Sequence, residues 1–131
     1  MKLLENKVAL ITGGSRGIGK SIVEKFVSNG CNVAFTYNRS ASEAELIESN
    51  LFNKNLKIKG YKSDASKFKE AELLANSVVS EFGKIDILVN NAGITKDNLL
   101  MRMSEDDFNQ VLSVNLNSVF NMTKAVQREF L

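Results

Sequence analysis

The 131-residue sequence has no histidine, no proline and a single cysteine, Cys31. One cysteine excludes a disulfide framework. Without histidine, and with one thiol, the chain lacks the nitrogen and sulfur ligands on which zinc sites are usually built. No repeat, low-complexity stretch or linker divides the chain, and its length fits one domain. No apolar run approaches the length that spans a bilayer. The opening "MKLLENKVAL" lacks the apolar stretch and small-residue cleavage site of a secretory leader, so the cytoplasm is the expected compartment. Charge of one sign is also scarce. Seventeen basic against fifteen acidic residues leave +2, scattered rather than blocked, which gives no basis for a nucleic-acid or membrane partner. What is present is an ordinary globular composition, 44% hydrophobic and 24% charged. A chain of this size buries roughly two thirds of its unfolded surface.

The patterning alternates between two periods. "KVALIT", Lys7 to Thr12, is nearly continuous in apolar residues, as strands covered on both faces are. A helix follows from about Gly17, with Ile18, Ile22, Val23, Phe26 and Val27 at helical spacing and Asn29-Gly30 as its stop. "NVAFTY" reads as a second strand. Ser42 with Glu45 reads as a capping box opening a helix to about Asn53. "LKIKGYKS" is a third, more polar strand suited to a sheet edge. Ser66 is the expected cap of the next helix, which carries Leu73, Leu74, Val78, Val79 and Phe82 and stops at Gly83. "IDILVNN" is the fourth strand. Ser104 then opens a helix whose first turn, "EDD", suits the positive end of its dipole. Its expected apolar stripe runs through Phe108, Leu112, Asn115, Val119, Met122 and Val126. Strands alternating with helices predict a three-layer α/β domain: a doubly wound parallel sheet of the Rossmann type, strand order 3-2-1-4.

The first strand leads into "TGGSRGIG", whose Gly13, Gly17 and Gly19 follow the spacing G-x3-G-x-G. Between a buried strand and an amphipathic helix, such glycines suit a phosphate site. One permits a tight turn, one lets the backbone approach a pyrophosphate, and one lets the helix pack close to the sheet. The amides and dipole of the helix start then face the negative charge. Glycines in a plain connection would read the same way outside that context. The end of the second strand bears on which dinucleotide is held. A site for an unphosphorylated ribose wants an acid there, and "TYNRS" has none. Arg39, with Arg16 in the turn, offers planar cations for a 2′-phosphate, although two arginines also suit a solvated surface.

With "TGGSRGIG", "SDAS" after the third strand and "NNAG" after the fourth, the chain resembles the short-chain dehydrogenase/reductase family over its whole length. The stretch "NNAGITKDNLLMRMSEDDFNQVLSVNLNSVFNMTKA" is similar to the 3-oxoacyl-[acyl-carrier-protein] reductases within it, in their N-terminal portion. The resemblance implies NADP(H) as cofactor and an acyl-carrier-protein thioester as substrate in fatty-acid biosynthesis, with a homotetramer as the full-length form. It implies that Gly13, Gly14, Ser15 and Arg16 wrap the pyrophosphate and adenosine phosphate, with Gly17, Ile18 and Gly19 completing the turn. Asn38, Arg39 and Ser40 would face the adenosine ribose, Asp64 and Ala65 the adenine, and Asn91, Ala92 and Gly93 the nicotinamide ribose. Asp64 reads equally as a turn residue before a helix, and "NNAG" alone as a strand-ending turn. Asn115 matches the family's catalytic asparagine, which holds a water in its proton relay. A structural asparagine satisfied inside the helix would look the same.

The family's proton donor is a tyrosine in the pattern Y-x-x-x-K, assisted by a serine. Here Tyr37 is followed four residues later by Ala41, and Tyr61 by Ala65, so neither fits. The expectation is a single NADP-binding domain, residues 1–131, truncated before the Tyr/Lys segment and inactive alone, with the edge of the fourth strand and the outer face of the last helix uncovered. Other expectations in play are a non-catalytic NADP-binding module, a short-chain dehydrogenase/reductase for another carbonyl substrate, and a remnant that neither folds nor binds.

Overall fold

The computed structural model describes residues 2–39, 41–93 and 99–131. Its four strands are β1 (Val8–Ile11), β2 (Asn32–Tyr37), β3 (Ile58–Lys62) and β4 (Ile87–Val89). Its four α-helices are α1 (Gly17–Ser28), α2 (Ala41–Asn50), α3 (Phe68–Phe82) and α4 (Glu105–Phe130), with one short 3-10 turn at Leu100–Arg102. The sheet is parallel throughout and ordered β3-β2-β1-β4, the order the alternation predicts.

Strand alternation sorts side chains into two cores. Ala9, Ile11, Val33 and Phe35 face α1 and α2, where Val23, Val27, Ala44 and Ile47 meet them. Leu10 and Ala34 face α3 and α4, against Leu74, Val78, Met122 and Val126. Both faces of β1 are therefore buried, and its four residues read apolar without a break. The edge strand β3 is held differently. Glu48 of α2 accepts from Gly60 N at 3.0 Å, and Lys59 pairs with Glu81 at 2.6 Å. A side chain on Gly60 would strike the Phe35 ring, its Cβ only 2.9 Å from Cζ.

Four local expectations are corrected. Ser42 lies inside α2, which begins at Ala41 and ends at Asn50, so it caps nothing. Ser66 does not cap α3 either. The residue before that helix is Lys67, and Ser66 Oγ instead donates to Asp64 Oδ1 at 2.6 Å. Ile18 and Leu73 match their helices' apolar spacing but are exposed. The buried line of α4 passes through Ser118, Asn121, Met122 and Val126, while Phe108, Leu112 and Val119 face outward and Asn115 is only half-buried. Two polar residues occupy that line because each is bonded: Ser118 Oγ donates to Val114 O at 2.6 Å, and Asn121 Nδ2 to Ala65 O at 3.1 Å. Ser104 caps α4 as expected, accepting from Asp107 N at 3.0 Å, and Gly83 ends α3 in the left-handed region, its N–H bonded to Val79 O.

Candidate functional site

All four strands run the same way, so the loops leaving their carboxyl ends gather on one side. The glycine turn is fixed there by two threonines. Thr36 Oγ1, at the end of β2, accepts from Gly13 N at 3.0 Å, and Thr36 O accepts from Gly14 N at 2.9 Å. Thr12 Oγ1, just after β1, accepts from Asn91 N at 3.0 Å and Ala92 N at 2.9 Å. Asn91 then donates through Nδ2 to Gly13 O at 3.1 Å. The turn after β1 and the segment after β4 are thus one hydrogen-bonded unit.

The glycines divide the work in a way their spacing does not reveal. Gly13 and Gly17 have φ of +67° and +59°, a region L side chains rarely enter. Gly14 and Gly19 are needed for space. A Cβ on Gly19 would lie 2.0 Å from Gly13 O, and one on Gly14 would lie 2.6 Å from Phe35 Cβ. These two sit behind the turn and form its support. Gly17 has nothing within 4 Å of where a Cβ would stand, so the backbone is bare on its outer side.

In front of the turn lies a cleft of about 690 Å³. Gly13, Ser15, Arg16, Gly17 and Ile18 form one wall. The end of β2 adds Thr36, Tyr37, Asn38 and Arg39. Ser63, Asp64 and Ala65 come from the end of β3, and Asn91, Ala92 and Gly93 from the end of β4. Most of the residues singled out from sequence therefore meet in one place. Ser40 lies outside the described residues. Asn115 does not line the cleft but stands just behind it: a Cβ on Gly93 would be 2.7 Å from Asn115 Oδ1. The sequence reading missed Thr12 and Thr36, legible only as hydroxyls ending apolar strands. It also missed Glu43, Val114 and Ser118, which no local pattern marks, and it quoted Tyr37 and Ser63 within "TYNRS" and "SDAS" without giving either a role.

Three observations show that the cleft suits a phosphate-bearing dinucleotide. First, α1 starts with no side-chain cap and, unlike α2, α3 and α4, has no acid in its first turn, leaving its amides for an external acceptor. Second, Arg16 and Arg39 both line the cleft, and none of the ion pairs among the described residues involves them. Third, Ser63 is 7% exposed and its Oγ has no bonded partner, an acceptor or donor in reserve near the Asp64 end. Asp64 itself is partly committed, since its Oδ1 accepts from both Ser66 N and Ser66 Oγ, the turn role that was one of its two readings.

Among the described residues, the groups whose proton affinities are clearly displaced do not line the cleft. Burial pushes the Cys31 thiol up to about 11. Burial, with the Glu81 carboxylate beside it, also raises the Tyr61 hydroxyl, which is the wrong direction for a proton donor near neutrality. Among the described residues no group of three or more His, Cys, Asp or Glu is placed to hold a metal ion. The cleft thus offers an anion the main-chain amides of an uncapped helix start and two guanidinium groups.

The family model described as short chain dehydrogenase matches residues 7–131. The chain belongs to this family. It is 44% identical over 126 residues to the 3-oxoacyl-[acyl-carrier-protein] reductase FabG of Staphylococcus epidermidis, covering 96% of this chain and 52% of that protein. To the FabG of Salmonella typhimurium it is 43% identical over 127 residues, 97% of this chain and 50% of the other. A short chain dehydrogenase from Burkholderia cenocepacia, solved in complex with NADP, superposes with a TM-score of 0.88 at 34% identity, over 96% of this chain and 51% of that one. A blue fluorescent protein from a metagenomic library, solved with NADPH, gives 0.84 at 33% identity, over 95% and 51%. This short-chain dehydrogenase chain spans about half the length of the relatives it matches.

Proposed function

We propose that this chain is the cofactor-binding part of an NADPH-dependent reductase of 3-oxoacyl-[acyl-carrier-protein] thioesters. The observation that carries the reading is the bare glycine turn at an uncapped helix start, with Arg16 in the turn and Arg39 at the end of β2 lining the same cleft, neither in an ion pair among the described residues. In this reading the amides of Gly13 to Ile18 hold the pyrophosphate, and Gly19 and Gly14 hold the turn. Arg16 and Arg39, with Asn38, take the 2′-phosphate. Ser63, Asp64 and Ala65 receive the adenine, the Ser63 hydroxyl acquiring there the bond it otherwise lacks. Asn91, Ala92 and Gly93 close the floor near the nicotinamide ribose. When bound, the cofactor supplies a hydride to a ketone. Asn115, whose amide packs on Gly93, would orient a water for proton relay from helix α4.

The identity to the FabG proteins favours the acyl-carrier-protein thioester as substrate, and with it a homotetrameric, cytoplasmic enzyme. No described helix is long and apolar enough to cross a membrane. The 131 residues contain no Y-x-x-x-K sequence, so we assign them cofactor binding without turnover. Calorimetric titration tests the binding half. NADPH is expected to bind in the micromolar range and NADH about tenfold or more weakly. Arg39→Ala should remove most of that difference, as loss of a charge-assisted bond to phosphate does. A folded chain indifferent to millimolar NADPH rules the reading out. Consumption of NADPH with a 3-oxoacyl thioester, above background, would refute the assignment of no turnover.

A further inference from the structure

The end of β2 lacks an acid, but the cleft does not. Glu43, in the first turn of α2, lines it together with Arg16 and Arg39. None of the ion pairs among the described residues includes Glu43, and it is exposed at the amino end of its helix. That position already stabilises a carboxylate through the dipole of the helix. A second anion brought to Arg39 must share the same positive surroundings. We infer that Glu43 is a repulsive specificity element in the 2′-phosphate subsite, weakening NADPH selectively and narrowing its preference over NADH. Specificity is a difference of affinities, and a like charge placed near one ligand's distinguishing group changes that difference without touching the parts the two ligands share. The 2′-phosphate carries most of two negative charges at neutral pH, whereas a 2′-hydroxyl carries none.

The inference rests on the cofactor reading above, and one set of titrations separates the two. Binding of NADPH by the unaltered chain tests the reading; the ratio between variant and unaltered chain tests Glu43. Glu43→Gln should tighten NADPH by about threefold to tenfold at low salt and leave NADH within about twofold. Glu43→Lys should tighten NADPH further. In about 0.5 M salt the Glu43→Gln effect should shrink to less than about twofold, because exposed charges are screened over a few ångströms there. Circular dichroism checks that each variant is folded. Weaker NADPH binding in Glu43→Gln would mean that the carboxylate positions Arg39 for phosphate, and would overturn the inference. So would an equal change in both cofactors, or no change in either while Arg39→Ala still lowers NADPH affinity. Failure of the unaltered chain to bind either cofactor removes the cofactor reading itself.

Discussion

At the scale of single residues, the glycine turn separates two kinds of constraint. Gly17 is required by its φ of +59° with open space around it, and Gly19 by a carbonyl oxygen 2.0 Å from where its Cβ would go. Alanine at position 17 should therefore cost about 1–2 kcal/mol, the price of a left-handed conformation. At position 19 it should cost more, about 3 kcal/mol or above, because α1 must move off the sheet and the Asn91–Gly13 bond must stretch or break. Urea denaturation of both variants checks the order. Equal losses would mean that the turn relaxes around Gly19 without displacing the helix. Thr12 is the other decisive residue here. Its single hydroxyl oxygen satisfies two amides while its own proton reaches Val89 O at 3.4 Å, so three residues at the end of β4 and just after it are tied to one side chain just after β1.

At the scale of elements, β4 shows how a three-residue strand is held. Asp86, just before it, accepts from Val8 N at 2.9 Å through Oδ2 and donates its own N–H to Val8 O at 2.8 Å. Lys84 stands 3.0 Å from the same carboxylate. Partial burial works against ionisation, but the Val8 amide and Lys84 outweigh it and hold the carboxyl below its ordinary value of 3.8. The folded state thus prefers the charged form more than the unfolded chain does. The stabilisation is complete above about pH 5 and is lost as pH falls through the depressed folded value. Asp86→Asn should be less stable than the unaltered chain at neutral pH, with the gap closing below about pH 4. A gap that stays constant from pH 7 to 3 in thermal unfolding would show that the charge contributes nothing. In α4, the apolar pattern gave the existence of the helix and its Ser104 cap but misjudged its inward face. Bonded Ser118 and Asn121 compete with apolar residues for that face, and an unbonded-polar rule cannot foresee which polar side chains will find partners.

At the scale of the whole molecule, two cores share β1 and β2, and Cys31 lies at 0% exposure in one of them. Burial also holds its thiol up to about 11, so little thiolate is present near neutrality. Alkylation by iodoacetamide at about pH 8 should be at least about a hundredfold slower in the native chain than in denaturant. Labelling as fast as in an unfolded control would show that the α1/α2 side opens readily. Elsewhere the molecule leaves apolar surface in the open. Leu112, Leu116, Val119 and Phe120 of α4 are all exposed, and β4 pairs only with β1 among the described residues.

The sequence by itself determined the alternation of strands and helices, the parallel sheet order and the three loop motifs that meet at one end of it. These follow from periodicity, from crossover helices that return each strand parallel to the last, and from the right-handedness of those crossovers. Tertiary structure alone decided which glycines serve the backbone and which serve packing. It also decided that Thr12 and Thr36 lock the turn, that Asp64 is half spent on its own loop, and that Glu43 shares a cleft with two arginines. Each of those depends on groups separated in sequence by up to eighty residues approaching within hydrogen-bond or contact distance. Local spacing carries no information about such meetings; only the packed sheet and its helices bring them about.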